Sequence, residues 1–253
     1  MAAARREYLV IKARLSEAAR RFDEMVDDIR ELVTALPKNQ GLTDDERNLL
    51  AVAYKNEVGT RRRALKTLQK ISAETRMVNP AKTKEFNYYK ETITNELENL
   101  CNDLIWMLDS KLLLAVEEPT ADIFYHKLKG DYYRYLAEVE EDAKKAAEYI
   151  EKAKENYQGA TDYSLKSLAA THPLRIGLAM NYSVFIQEML RNTKEARDHA
   201  KRFYDDALDE VEGVRVVDES RYNECAYLLK LMHENIKVWS AELGDTKTPS
   251  KQF

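Results

Sequence analysis

The chain has 253 residues, 44% hydrophobic and 33% charged, and its 40 basic and 44 acidic side chains leave a formal net charge of −4. That length suits one large domain or two small ones with a sizeable core, and the charge balance argues against bulk nucleic-acid binding, which normally shows as a basic domain. Two cysteines, Cys101 and Cys225, make no disulfide framework, and the apolar run at 8–11 is too short for a secretory signal or a membrane span. A reduced, cytoplasmic setting without membrane insertion is the expectation.

Only 7 Gly and 5 Pro occur, far below the roughly 12% of average usage, so turns are few and long helices are favoured. Helical periodicity runs nearly end to end. It predicts helices over 3–17 and 20–36, then a third over 43–74, opened by Thr43 with Glu46 three residues on, a capping box. Asn79 followed by Pro80 starts a fourth over 80–114. Pro119 and Thr120 precede a fifth over 120–141, and a sixth covers 144–169. Gly159 lies inside that sixth helix; either it costs about 1 kcal/mol there or the helix breaks, and the continuous helix is preferred. His172 and Pro173 open a seventh over 173–190, Asn192 with Glu195 an eighth over 193–210, and Asp218 a ninth over 218–242. No alternating strand pattern of useful length appears. No 34-residue recurrence and no Trp-x-x-Leu-Gly signature supports a repeat array. The expectation is an all-α chain: one helical domain over 1–243 and a disordered tail over 244–253.

Chemistry is thinly supplied. None of the four histidines (His126, His172, His199, His233) has a Glu three residues before it, and no zincin, Gly-rich phosphate loop or Gly-x-Ser-x-Gly motif occurs. Cys101 and Cys225 lie in apolar helical runs, where buried, inert thiols are expected. No catalytic residue, metal or cofactor is assigned.

A basic face is more informative. Lys55 and Arg62 are seven residues apart, two helical turns, and so are Lys127 and Arg134. Two such helices facing one another would make a pocket for a dianion, since guanidinium forks suit phosphate oxygens and a tyrosine hydroxyl can complete the shell. Spacing alone does not establish that, because a cation pair on a charged helix is ordinarily a solvated face.

The run ERNLLAVAYKN at 46–56 resembles the third-helix signature of the 14-3-3 family. GDYYRYLAEV at 130–139 and THPLRIGLAMNYSVF at 171–185 resemble two further signatures of that family, in the same order. The similarity extends from about 9 to 239. It implies nine antiparallel helices forming a concave amphipathic groove in a dimeric cup. It also implies an adaptor, not an enzyme, that binds phosphoserine or phosphothreonine segments of client proteins. The family's phosphate-binding residues fall on Lys55, Arg62, Arg134 and Tyr135. Lys127 matches a further groove lysine, and Asn181 and Asn235 match asparagines that bond the ligand backbone. Glu188 shares the Asn181 face, seven residues on. The apolar groove wall falls on Met180, Val184, Leu228, Leu231 and Trp239, with Met180 where leucine is usual.

The resemblance further implies a homo- or heterodimer, with Leu15 and Ala19 set against Ala64 and Tyr89 of a partner, and Arg21 against Glu96. Glu24 keeps the acid of a second bridge, but Thr92 stands where the family has lysine. Ala64 replaces a serine whose phosphorylation opposes dimerisation in many members, and Leu65 replaces a tryptophan. The 212–217 region carries a few extra residues before the last helix, and the tail lacks the long acidic character often seen in the family. The other reading is a helical scaffold that docks partners without needing phosphate.

Overall fold

The computed structural model describes residues 3–74 and 80–245. Among these, nine α-helices and no strand occur: α1 (Ala3–Ala18), α2 (Phe22–Thr34), α3 (Asp44–Glu74), α4 (Pro80–Met107), α5 (Pro119–Val139), α6 (Ala143–Ser167), α7 (Pro173–Glu188), α8 (Thr193–Val217) and α9 (Glu219–Glu242). The expected all-α class and the helix count hold. The Asn79 cap and the tail from 246 onward lie outside the described residues.

The caps explain several boundaries. At the start of α3 the Thr43 amide donates to Glu46 (2.8 Å) while the Glu46 amide donates to the Thr43 hydroxyl (3.3 Å), the reciprocal capping box. Arg6 locks the same carboxylate in place from α1. His172 accepts from the Leu174 amide through Nδ1, Asn192 from the Glu195 amide and Asp218 from the Arg221 amide, so three polar residues cap α7, α8 and α9. Gly244, just past α9, takes φ +71, a left-handed C-terminal cap that suits glycine.

Three boundaries differ from the periodicity. Arg20 adopts φ +59, which ends α1 and delays α2 to Phe22; such a backbone costs a non-glycine residue about 1–2 kcal/mol. The fourth helix does not run regularly to 114. It passes into a π-helical turn (Leu108–Leu112) and a short 3-10 turn (Leu113–Ala115). The wider turn keeps both Leu108 and Leu112 fully buried. The eighth helix reaches Val217 instead of 210, and Asp218 is the first residue to leave helical geometry. Gly159 lies within an unbroken α6.

The helices sort into two compact units. One comprises α1 to α4 through Glu117, together with Tyr135–Ala146; the other comprises Glu118–Arg134 and the chain from Ala147 onward. In the first unit, α2 buries Met25, Val26, Ile29, Leu32 and Val33 on one stripe and packs against α1, which buries Leu9 and Ala13, and α3, which buries Leu50 and Tyr54; α3 packs in turn on α4, which buries Leu97 and Leu104. Each such aliphatic side chain contributes about 1.5–3 kcal/mol relative to exposure. In the second unit, α7, α8 and α9 pack around Phe185, Phe203, Tyr204, Leu229, Met232 and Ile236, and Tyr157 of α6 joins them. The unit boundary falls inside α5, between Arg134 and Tyr135.

Candidate functional site

In the first unit, α3 presents Lys55 exposed to solvent and Arg62 partly buried two turns on. Arg62 donates through Nε and Nη2 to the two oxygens of Glu138, each at 2.8 Å. This fork-on-carboxylate pairing leaves the guanidinium little freedom. Its central carbon also stands 4.1 Å from the centroid of the Tyr135 ring, a cation–π contact that fixes the plane from one face. Lys55, Arg62 and Tyr135 therefore belong to one compact unit, with Arg62 held in a defined pose.

In the second unit, α5 carries Lys127, Asp131 and Arg134 along one face. Lys127 donates to Asp131 at 3.0 Å, and Arg134 lies 3.6 Å from the same carboxylate. Arg134 also reaches Glu188 of α7 at 3.4 Å. Asn181 of α7 donates its side-chain nitrogen to both Asp131 oxygens, at 2.8 and 3.0 Å. The Tyr157 hydroxyl of α6 donates to Asp131 as well. Burial would raise the Asp131 carboxyl, but Lys127, Arg134 and Tyr157 outweigh it and hold it below the usual carboxylate range. Burial, followed by the Asp131 charge, pushes the Tyr157 hydroxyl well above its ordinary value.

Gly130 makes this arrangement possible. A Cβ there would stand 2.9 Å from the Tyr157 ring, so only a residue without one lets Tyr157 pack against α5 and reach Asp131.

The remaining matched residues of the second unit are also placed. Met180, Val184 and Leu228 are half-buried and pack against the edge of the core. Leu231 is 37% exposed, Asn235 half-buried, and Trp239 lies in the core itself. Sequence reasoning passed over Asp131, Glu138 and Tyr157. The first was legible, because Lys127, Asp131 and Arg134 stand at i, i+4 and i+7 on one helix face. Glu138 and Tyr157 gave no such signal; their roles depend on contacts between helices.

Both cysteines and His199 are buried or engaged by neighbours. Cys101 is fully buried and burial pushes its thiol far up; Cys225 donates to the Thr171 carbonyl at 2.8 Å. His199 is wedged between Tyr182 and Phe203 and bonded to Ser183, and burial, with Arg202 adding to it, lowers it to about 4. Among the described residues no cluster of metal-ligating side chains occurs, and no helix is long and apolar enough to cross a membrane.

These titrations set a sign for acid stability. Asp131, Glu46 and His199 all have depressed values in the folded state, so the unfolded chain binds more protons. Stability is then full at neutral pH, and begins to fall as pH drops through about 6.5, where unfolded histidine titrates. It falls further below about 4.5, as the carboxylates protonate. Thermal melts followed by circular dichroism at pH 7.5, 5.5 and 3.5 should give a steadily lower Tm; an unchanged Tm at 3.5 would contradict this assignment.

The profile of the family described as 14-3-3 protein matches residues 12–240, which span both units. The chain is 39% identical to 14-3-3 protein I of Plasmodium falciparum over 246 residues, covering 95% of this chain and 91% of that one. It is 36% identical to 14-3-3-like protein F of Nicotiana tabacum over 244 residues, covering 96% and 93%. It is 36% identical to 14-3-3 protein beta/alpha of Gallus gallus over 234 residues, covering 92% and 93%. The chain belongs to the 14-3-3 family. Within that family, the GDYYRY run of α5 reads physically: glycine admits Tyr157, aspartate gathers the polar groups, and Arg134 and Tyr135 follow as neighbours on the helix.

Proposed function

We propose that this 14-3-3 protein is the phosphoserine- and phosphothreonine-binding adaptor its family implies, acting on client proteins by occupancy and not by catalysis. Lys55, Arg62, Arg134 and Tyr135 take the phosphate. Lys127, Asn181, Glu188 and Asn235 line the ligand strand beside Met180, Val184, Leu228, Leu231 and Trp239. The observation that carries this reading is the ordering of its cations on anionic partners. Arg62 lies in a two-point fork with Glu138, and Arg134 and Lys127 lie on Asp131, as would suit guanidinium and ammonium groups that exchange a carboxylate for a dianion. The family profile runs across both units without a break, which supports reading 1–243 as one domain. A cytoplasmic setting fits the same role.

The decisive measurement is a titration of a labelled phosphoserine peptide carrying upstream arginines, alongside its unphosphorylated twin. The phosphorylated form should bind at least ~100-fold tighter, the factor that two charge-assisted hydrogen bonds supply. Equal affinities would reject the reading.

The protein also assembles as a dimer in this proposal. Tyr8, Ile11 and Leu15 form an apolar stripe on α1 that is more than half exposed, and Tyr89 of α4 is similarly bare. Of the polar positions, Glu24 pairs with Arg21 and Glu96 with Arg61 inside the chain, while the Thr92 hydroxyl donates to the Tyr88 carbonyl at 2.9 Å. One exposed ion pair lost at Thr92 costs a dimer only about 0–1 kcal/mol. Light scattering should report twice the 29.4 kDa chain mass at high concentration. The chain mass at every concentration would exclude assembly.

A further inference from the structure

Asp131 is 4% exposed and ionised, so both its oxygens can only accept hydrogen bonds. Asn181 faces them with its side-chain nitrogen. The reversed amide would set a carbonyl oxygen against a carboxylate oxygen, acceptor on acceptor, at under 3 Å. The charge on Asp131 therefore dictates which way this amide points. Because Oδ1 and Nδ2 diverge from one carbon, Oδ1 is the atom turned away from Asp131. No described residue donates to it, and Asn181 is only half-buried.

We infer that Asp131 is a positioning residue of the ligand strand's site: it locks Asn181 with Oδ1 outward as an acceptor, so that the group Asn181 reads on an extended ligand is a backbone N–H. An asparagine on an unconstrained helix surface could offer either end of its amide; here one end is occupied. The same carboxylate fixes Lys127 and Arg134, and Tyr157, admitted by Gly130, fixes the carboxylate. Orientation of the reading group is thus decided by a residue that need not touch the ligand. The inference rests on the adaptor reading above.

The test is a set of versions of one phosphoserine peptide, each with a single backbone nitrogen methylated, titrated against the wild-type protein, Asn181→Ala and Asp131→Leu. In the wild type one methylated position should cost about tenfold in affinity, one hydrogen bond's worth. The same methylation should cost both variants less than about twofold, because effects that act through one contact do not add. In the unliganded wild type, the Asn181 side-chain amide protons should also exchange slowly by NMR, a readout that holds even if Asp131→Leu fails to fold. A flat methylation scan on a wild type that binds the parent peptide would overturn the inference and leave the adaptor reading intact. So would a full penalty surviving in a folded Asp131→Leu, or amide protons exchanging as fast as those of a free asparagine. A wild type that binds no phosphopeptide would reject both readings.

Discussion

Arg62→Glu should abolish the preference for a phosphorylated peptide over its unphosphorylated twin, while the helical circular-dichroism signal stays that of the wild type. The argument starts from the fork. Arg62 offers two parallel N–H donors, now spent on Glu138 at 2.8 Å each, and its plane is pressed to the Tyr135 ring. A phosphate replacing Glu138 would gain a pre-oriented guanidinium, so little rotamer entropy would be lost on binding. Each charge-assisted bond contributes about 1.5–3 kcal/mol, so losing two amounts to at least ~100-fold in affinity. Glutamate adds repulsion, since it stands opposite Glu138 and against the incoming dianion. Fluorescence anisotropy with both peptides measures the ratio directly. Arg62→Lys should fall between, because it keeps the charge and loses the fork; a lysine variant as selective as the wild type would show that charge alone suffices.

Tyr157→Ala should be the most damaging single truncation in the second unit, lowering stability by about 3–5 kcal/mol as large-to-small aromatic changes in cores do. The ring is fully buried. It stacks on Tyr182 at 5.4 Å between centroids and tilts against Phe185 at the same distance. Its hydroxyl donates to Asp131, so removal opens a cavity and strips a donor from a buried carboxylate together. Tyr157→Phe separates the two effects: it keeps the packing and should cost about 1–3 kcal/mol for the lost partner. Urea unfolding of the three proteins gives the comparison. Equal losses for Phe and Ala would place the whole effect in the hydrogen bond, and no loss for Phe would place it in packing.

Much of the fold was legible before any coordinates. The shortage of glycine and proline, the capping box at Thr43 and Glu46, and the polar caps at His172, Asn192 and Asp218 are local features. Each is decided within one turn of backbone, so the sequence carries them in the open. Two of the misjudged boundaries share a cause. Arg20 turns left-handed to let α2 fold back onto α1, and the π turn after Met107 serves the burial of Leu108 and Leu112. Both are imposed by packing between helices, and periodicity along one helix does not contain that information. The α8 extension is different: Gly213 and the β-branched Val214, Val216 and Val217 weigh against helix, so a propensity reading stops short of the observed end at Val217.

The site divides in the same way. Residue type and spacing were enough to single out Lys55 with Arg62 and Lys127 with Arg134, and the resemblance carried by three runs was enough to name a family and its phosphate-binding set. By itself, then, the sequence determined the all-helical class, the family and the identities of the cations. The tertiary structure decided what holds those cations and which way the polar groups face. Glu138 forks Arg62, and Asp131 gathers Lys127, Arg134, Asn181 and Tyr157 around one buried charge. The physical reason is that a cation's identity is a property of one residue. Its orientation is a property of the partners that fold against it, and Glu138 and Tyr157 come from 76 and 23 residues away along the chain.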